Sequence, residues 1–452
     1  MKKDSNKRQI RADGLVSALS GLGLSGKDKH NYTTYSPEIF QQAELSAWYI
    51  GSDIFSRIVD LPVEEATREG YRIFADDTEL TAEFEDWASR FDLDSKIEKA
   101  MKYARVFGGA GLVNGADDSI DDPSLPFSQR KFKKLNYVVP YDRFYLTSSV
   151  EVEKNPISKN FLQPKKYLIS GNAAIKNRTV HGSRVVRCTG VDVPEVSASS
   201  YGYWGDSILT RMRDAIIAYA SANKSAAYLL GETGRMVIEI SKLYEWLQMD
   251  SDESNMGTEA LKARMAGLEY SGSVINGLIL GEGEKANRAM INFSGIPEML
   301  DRAKARLSAT CNIPHTILFN ESPSGLGATG GSQLTHWDQS IKRMQESKLR
   351  PILSAYADLF FLETNGKIPK YKIEFNPLQI PSASEIADIQ TKRAAISRGL
   401  VQDLMITPDQ GVAMLTDKND PYSLNIEVDD SMDLAIDREK DQQEPESEDS
   451  AQ

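Results

Sequence analysis

Residues 293–361, FSGIPEMLDRAKARLSATCNIPHTILFNESPSGLGATGGSQLTHWDQSIKRMQESKLRPILSAYADLFF, read as helix, short apolar segment, glycine-rich loop and long helix. Ser294 and Gly295 are cap-type residues, Pro297 falls in a first turn that needs no amide hydrogen from it, and Glu298 complements the positive helix end. Leu300, Ala303 and Leu307 mark one face, and Ile313-Pro314 closes the segment. The later helix carries Leu334, Trp337, Ile341, Met344, Leu349, Ile352, Tyr356, Leu359 and Phe360 at three-to-four residue spacing. Pro351 is expected to kink or split it. Between the two helices stand Ser322, Pro323, Ser324, Gly325, Leu326, Gly327, Ala328, Thr329 and Gly330, which with Gly331 give four glycines in ten residues and no charge.

Gly325-Leu-Gly327-Ala-Thr-Gly330 matches G-x-G-x-x-G ahead of a helix, the pattern that can hold a phosphate on a helix N-terminus. A dinucleotide fingerprint needs a buried strand directly before the first glycine, and here Asn320, Glu321, Ser322 and Pro323 intervene. No Gly-Lys-Ser/Thr follows, so the Walker pattern fails too. The favoured reading is a mobile connection between helices, with a nucleotide-binding enzyme kept as the alternative.

The chain has 452 residues, long enough for two to four structural units, and is 40% hydrophobic and 26% charged. No apolar run reaches the ~20 residues of a membrane span. Asp13 and Gly14 stand where a signal peptide would carry its apolar region, so an intracellular protein is expected. Cys188 and Cys311 are far apart and lack the paired spacing of a zinc site. Of the net charge of −12, −9 lies in residues 427–452, which carry eleven acidic residues against Arg438 and Lys440. The body is nearly neutral, and the tail is expected to be acidic and disordered.

Residues 1–35 form a polar arm, basic over its first eleven residues, which gives a second alternative: a monomeric nucleic-acid-binding adaptor. Helices are expected from Ser36 onward, with Pro62 ending or bending the first run, and then around Leu80 to Phe91 and Leu93 to Phe107. Gly108, Gly109 and Gly111 turn the chain into a short strand. Asp117, Asp118, Asp121 and Asp122 lack the alternating ligands, glycine and glutamate of a calcium loop, so no metal is assigned. Short strands follow at Tyr137, Phe144, Tyr167 and Arg184.

His181-Gly-Ser183 fits half of a two-histidine phosphoesterase site, but no second half-site exists. His181 is therefore read as a turn residue, and no catalytic group is assigned. From Trp204-Gly-Asp-Ser207 a helix runs to about Leu230, rich in small residues including Ala218, Ala222, Ser225 and Ala226 that let a neighbouring helix approach closely. Residues 232–293 alternate strands, among them Met236 to Ile240 and Ala289 to Phe293, with amphipathic helices. Tyr371 to Phe375 is one more strand, and two helices follow from Ser384 and Thr407.

This order of parts resembles the portal proteins of tailed bacteriophages. The residues carrying the resemblance are Asp60-Leu-Pro62 with Thr67-Arg68, Arg105-Val-Phe-Gly-Gly109, Val180-His-Gly-Ser-Arg-Val-Val186, Trp204-Gly-Asp-Ser207, Phe293-Ser-Gly-Ile-Pro-Glu298, and Ile313-Pro314 leading to the glycine-rich loop. The resemblance implies an α+β portal fold assembling as a ring of about twelve copies, the conduit for double-stranded DNA at one capsid vertex. It implies a wing at 36–203, stem helices at 204–231 and 294–312 around a clip at 232–293, and a tunnel loop at 313–332. A long kinked helix with a returning wing strand follows at 333–381, and a crown at 382–426.

The resemblance further implies partners: other copies of the chain, DNA held transiently, the large terminase motor, a head-tail adaptor, and capsid or scaffold protein. The site would be the virion, after assembly in the host cytoplasm, with no cofactor. The uncharged loop suits sliding DNA, because each neutralised phosphate adds salt-dependent grip. Arg302, Lys304 and Arg306 either face the channel or solvate their helix, and the small residues of the first stem helix are expected to pack between subunits.

Overall fold

The computed structural model describes residues 39–75, 78–149, 151–158, 160–170, 177–231, 236–239, 259, 261–263, 266, 285–288, 294–321, 331–379 and 383–416. The basic arm, most of 232–293, residues 322–330 and the acidic tail lie outside them. The chain divides into two compact units, Met1–Asn376 and Pro377–Gln452.

Among the described residues the first unit begins with helices α1 (Gln42–Gly51) and α2 (Asp53–Arg68), the latter capped by the Ser52 side chain accepting from the Phe55 amide. Strands β1 (Tyr71–Ala75) and β2 (Thr78–Glu79) lead to α3 (Thr81–Ser89) and α4 (Leu93–Phe107). Then come β3 (Gly109–Asp117), β4 (Lys134–Asp142), β5 (Leu146–Ser148), β6 (Lys166–Ile169), β7 (Arg178–His181) and β8 (Val185–Thr189). The long α5 (Ile208–Gly231) is followed by the strands β9 (Met236–Glu239) and β10 (Lys285–Arg288), and then by α6 (Ile296–Cys311), α7 (His315–Phe319) and α8 (Gly331–Met344). A π-helical turn, Gln345–Leu349, joins α8 to α9 (Arg350–Asn365), and β11 (Tyr371–Phe375) closes the unit.

All sheet pairings are antiparallel: β11-β1-β2, β4-β3-β8, β5-β6-β7 and β10-β9. Pairing of Tyr71 with Phe375 and Ala75 with Tyr371 ties the end of the unit to its beginning. The main core lies between α3, α4, α9 and the strands, with Leu349, Ile352, Leu353, Tyr356, Ala357, Phe360 and Phe361 forming the buried stripe of the α8–α9 rod. Phe360 meets Phe84 at 5.5 Å and Trp87 at 5.9 Å in edge-to-face contacts. A second apolar cluster gathers Val113, Leu146, Tyr167, Val180, Val185 and Trp204 beside the small sheet.

Several expectations are met or refined. Pro62 does not end α2, which runs on to Arg68 as one helix. His181 ends β7 and also caps the turn 182–184 that leads into β8, and β7 pairs with β6 although its Arg-Thr-Val-His sequence has no apolar alternation. The strand expected at 289–293 lies outside the described residues, and an additional strand at Lys285–Arg288 pairs with Met236–Glu239. The split expected at Pro351 is found, as a π-turn at Gln345–Leu349 that parts α8 from α9 and leaves the proline in the first turn of α9.

The second unit contributes α10 (Ala383–Gln402) and α11 (Pro408–Leu415). Thr407 and Gln410 form a reciprocal capping box at the start of α11. Gly411 is buried against α10, where the Ser397 hydroxyl donates to its carbonyl at 2.9 Å.

Candidate functional site

The entry to α5 is a backbone junction. A Cβ at Gly190 would lie 2.6 Å from both the Gly108 Cα and the Asp206 carbonyl oxygen, so the three strands of chain meet without side chains between them. Gly108 has φ +87 and ends α4. Its carbonyl accepts from the Gly190 amide at 3.0 Å, while Val191 and Asp206 exchange amide-to-carbonyl bonds at 2.9 and 2.8 Å. The Arg143 guanidinium donates to the Gly205 carbonyl at 2.8 Å and stands over the Phe144 ring. Trp204 packs on Tyr167 at 5.4 Å with the Arg187 guanidinium over its face at 4.7 Å. The Trp-Gly-Asp-Ser and Arg-Val-Phe-Gly-Gly motifs are thus two sides of one joint.

A second joint lies between α2 and α4. Pro62 has no amide hydrogen, so the Ile58 carbonyl lacks its helical donor. Arg105 supplies one, donating at 2.8 Å to Ile58 and at 3.0 Å to Val59. Burial lowers the Arg105 pKa to about 10, still well above neutrality. Lys102, on the same face, pairs with Glu64 and Glu98, each at 2.7 Å.

The helices α5 and α6 pack along one another, and the Tyr219 ring meets Phe319 at 5.5 Å. Ala226 is buried within the chain and Ala218 and Ala222 are half-buried, while Ser225 is exposed. Burial inside one copy removes Ala226 from the residues free to meet a neighbouring subunit. Ile217 and Tyr228, 42% and 73% exposed, lie on the opposite, solvent-facing side.

Within the span 313–332, His315–Phe319 is the short helix α7 and α8 begins at Gly331. The residues singled out there, Ser322 to Gly330, lie outside the described ones, but both flanks are anchored. Arg57 of α2 donates to the last carbonyls of α7, at 2.7 Å to Leu318 and 2.9 Å to Ile317. Glu321 accepts from Lys304 at 2.5 Å and has the His315 ring at 3.6 Å. The Thr316 hydroxyl bonds Gln333 at 3.3 Å, bringing the two flanks together. The Asn312 amide reaches Ser340 at 3.2 Å and ties the end of α6 to α8.

These contacts separate the three basic residues of α6. Arg302 and Arg306, one turn apart, are exposed, whereas Lys304 is half-buried over the Phe319 ring and committed to Glu321. Its bond to Glu321 raises the Lys304 pKa and lowers that of Glu321. Sequence spacing alone gives no sign of Arg57, because a guanidinium that reaches the carbonyls of a distant helix leaves no periodic trace.

Burial pushes Cys188 up to about 12 and Cys311 up to about 11, so both stay protonated near neutrality. His181 shares a hydrogen with Ser183 at 2.9 Å, and burial lowers its pKa. No cluster of metal-ligating side chains occurs among the described residues, and no helix among them is long and apolar enough to cross a membrane.

A family model described as phage portal protein matches residues 43–398. Among curated proteins, an anti-CBASS protein Acb1 of Sphingomonas paeninsulae is 29% identical over 374 residues, covering 81% of this chain and 58% of that protein. A protein of the same name from Caulobacter sp. (strain RHG1) is 28% identical over 405 residues, covering 86% and 63%. The chain thus spans 58% and 63% of the length of these two relatives. An uncharacterized protein of Haemophilus influenzae is 25% identical over 403 residues, covering 88% of each chain. Among solved structures, the neck of an empty GTA particle computed with C6 symmetry is 11% identical with a TM-score of 0.50, covering 82% of this chain and 96% of that one. An HK97 family phage portal protein from Corynebacterium diphtheriae gives 10% identity and a TM-score of 0.40, covering 77% and 100%.

Proposed function

Because this chain belongs to the phage portal protein family, we propose that it assembles as a ring of about twelve copies at one capsid vertex and lines the channel for double-stranded DNA. The observation that carries this reading is the family match, which takes in every element from α1 to most of α10. In it the α+β body at 36–203 is the wing facing coat or scaffold protein. The helices α5 and α6 are the stem, and residues 232–293 are the clip that meets the large terminase motor and the head-tail adaptor. Residues 382–426 are the crown.

The tunnel loop is narrowed to 322–330, and its anchored flanks support a short projection carried on a fixed base. The exposed pair Arg302 and Arg306 is the face of α6 we assign to the channel, with Lys304 withdrawn from it. A heterologous contact repeated about an axis closes a ring, and the exposed Ile217 and Tyr228 of α5 supply one side of it. Such a protein works without catalysis of its own; the force on DNA comes from the motor it docks.

The anti-CBASS activity named for two relatives belongs to proteins that this chain covers only in part, and we place it on none of the residues described. The test of the portal reading is mass photometry with negative-stain imaging of the purified full chain. Rings with a central channel are expected. A 50.2 kDa monomer under every assembly condition would overturn it. Saturable dinucleotide binding abolished by Gly327→Val would favour a nucleotide-binding enzyme instead, and salt-sensitive duplex retardation by a monomer would favour an adaptor.

A further inference from the structure

A cavity of about 520 Å³ opens where α4, β8, α5 and the α8–α9 rod meet, entirely within the first unit. Its floor is apolar, with Met101, Ile208, Ile313, Trp337 and Ile341 among the lining. Its lining is also cationic: besides Arg105 and Arg187, whose guanidinium groups are held by the Ile58 and Val59 carbonyls and by Trp204, it carries Arg211, Arg343 and Lys348 against one carboxylate, Asp192. Asp192 offsets little of this charge. Its side chain is 93% exposed and lies 3.7 Å from Lys348, while Arg211 reaches only its backbone carbonyl, at 3.2 Å. Arg343 is exposed and makes no ion pair among the described residues. A volume in the ~300–1,000 Å³ range of ligand sites, apolar below and cationic at the mouth, suits an acidic segment with bulky apolar side chains. A bare phosphate or a nucleic-acid backbone would leave the floor unused.

The chain itself contains such a segment. Residues 425–437, NIEVDDSMDLAID, interleave Ile426, Val428, Met432, Leu434 and Ile436 with five acidic residues and no basic one. Beyond them, residues 438–452 are rich in acids but have no bulky apolar side chain, so only 425–437 matches both floor and rim. We propose that this cavity is the docking site for residues 425–437 of a neighbouring copy of the chain. This rests on the ring reading: a cavity on one copy and a segment on the next form a heterologous contact that repeats around the axis.

The test mixes unlabelled and heavy-isotope-labelled full-length protein, assembles rings, applies a zero-length carbodiimide cross-linker and maps the products by mass spectrometry. Isopeptide bonds between Lys348 and carboxylates of 427–437 are expected in mixed-isotope pairs. The double variant Arg211→Glu, Arg343→Glu should reduce them about tenfold or more while rings still form. Rings that lack these bonds, bonds found only within single-isotope pairs, or an undiminished yield in the double variant would each overturn the proposal and leave the ring standing. Absence of rings in the same sample overturns both.

Discussion

At Pro62 the cost of a helix-interior proline is met from another element. Because Arg105 replaces the missing donor, Arg105→Met should leave the Ile58 carbonyl buried and unmatched, a loss of about 1–3 kcal/mol. Pro62→Ala in that background restores the amide hydrogen and should recover much of the loss, read by urea denaturation followed through tryptophan fluorescence. The buried pair Arg184 and Asp118, 2.8 Å apart, obeys a related rule. Arg184→Met should cost about 3–5 kcal/mol, and adding Asp118→Leu should return most of it, since the charge rather than the contact is the penalty. The anchor at Glu321 has a pH signature. Lys304 depresses the folded pKa of its carboxylate, so the stabilisation is present above the ordinary carboxylate range and fades as pH falls through the lower, folded value. Protection factors for hydrogen exchange across 315–321, corrected for the intrinsic pH dependence of exchange, should therefore fall as the carboxylate is protonated, and Glu321→Gln should remove that fall. The motifs Asp60-Leu-Pro62 and Arg105-Val-Phe-Gly-Gly109 were visible in the sequence as separate signals. Their coupling was not, because a guanidinium reaching another helix's carbonyls leaves no periodic trace.

At the scale of elements, the α8–α9 rod was the most legible part of the chain. Its stripe from Trp337 to Phe361 fixes which face meets the sheet, and the buried residues follow it. Phe360→Ala, opening a void against Phe84 and Trp87, should cost roughly 3–5 kcal/mol in the same denaturation assay. The π-turn was not legible, although one signal was present. Gln345 is a polar residue in a stripe position, 1% exposed, and its side-chain amide donates at 2.9 Å to the Ala66 carbonyl near the end of α2. That carbonyl is among the last of its helix and has no helical donor. The short strands β7 and β10 escaped notice because their residues are polar and their position is set by partner strands rather than by alternation.

At the scale of the whole molecule, the order of parts carried the family, while the surfaces that would join copies depend on which side of each helix the first copy has already used. Ala226 was an attractive contact in the sequence and is spent inside the chain, whereas Ile217 and Tyr228 remain in solvent. Ile217→Glu with Tyr228→Glu should shift mass photometry from rings toward monomer and leave the monomer's unfolding within about 0.5 kcal/mol of the parent, as surface changes do. The anchored flanks of residues 322–330 have a mechanical corollary. A tug on the chain at Glu321 or Gly331 is not passed along a single helix. It divides at once, through Lys304 into α6, through Arg57 into α2 and through Gln333 back onto α7. With the load split over three supports, force on either flank is spread over the first unit rather than borne by one helix.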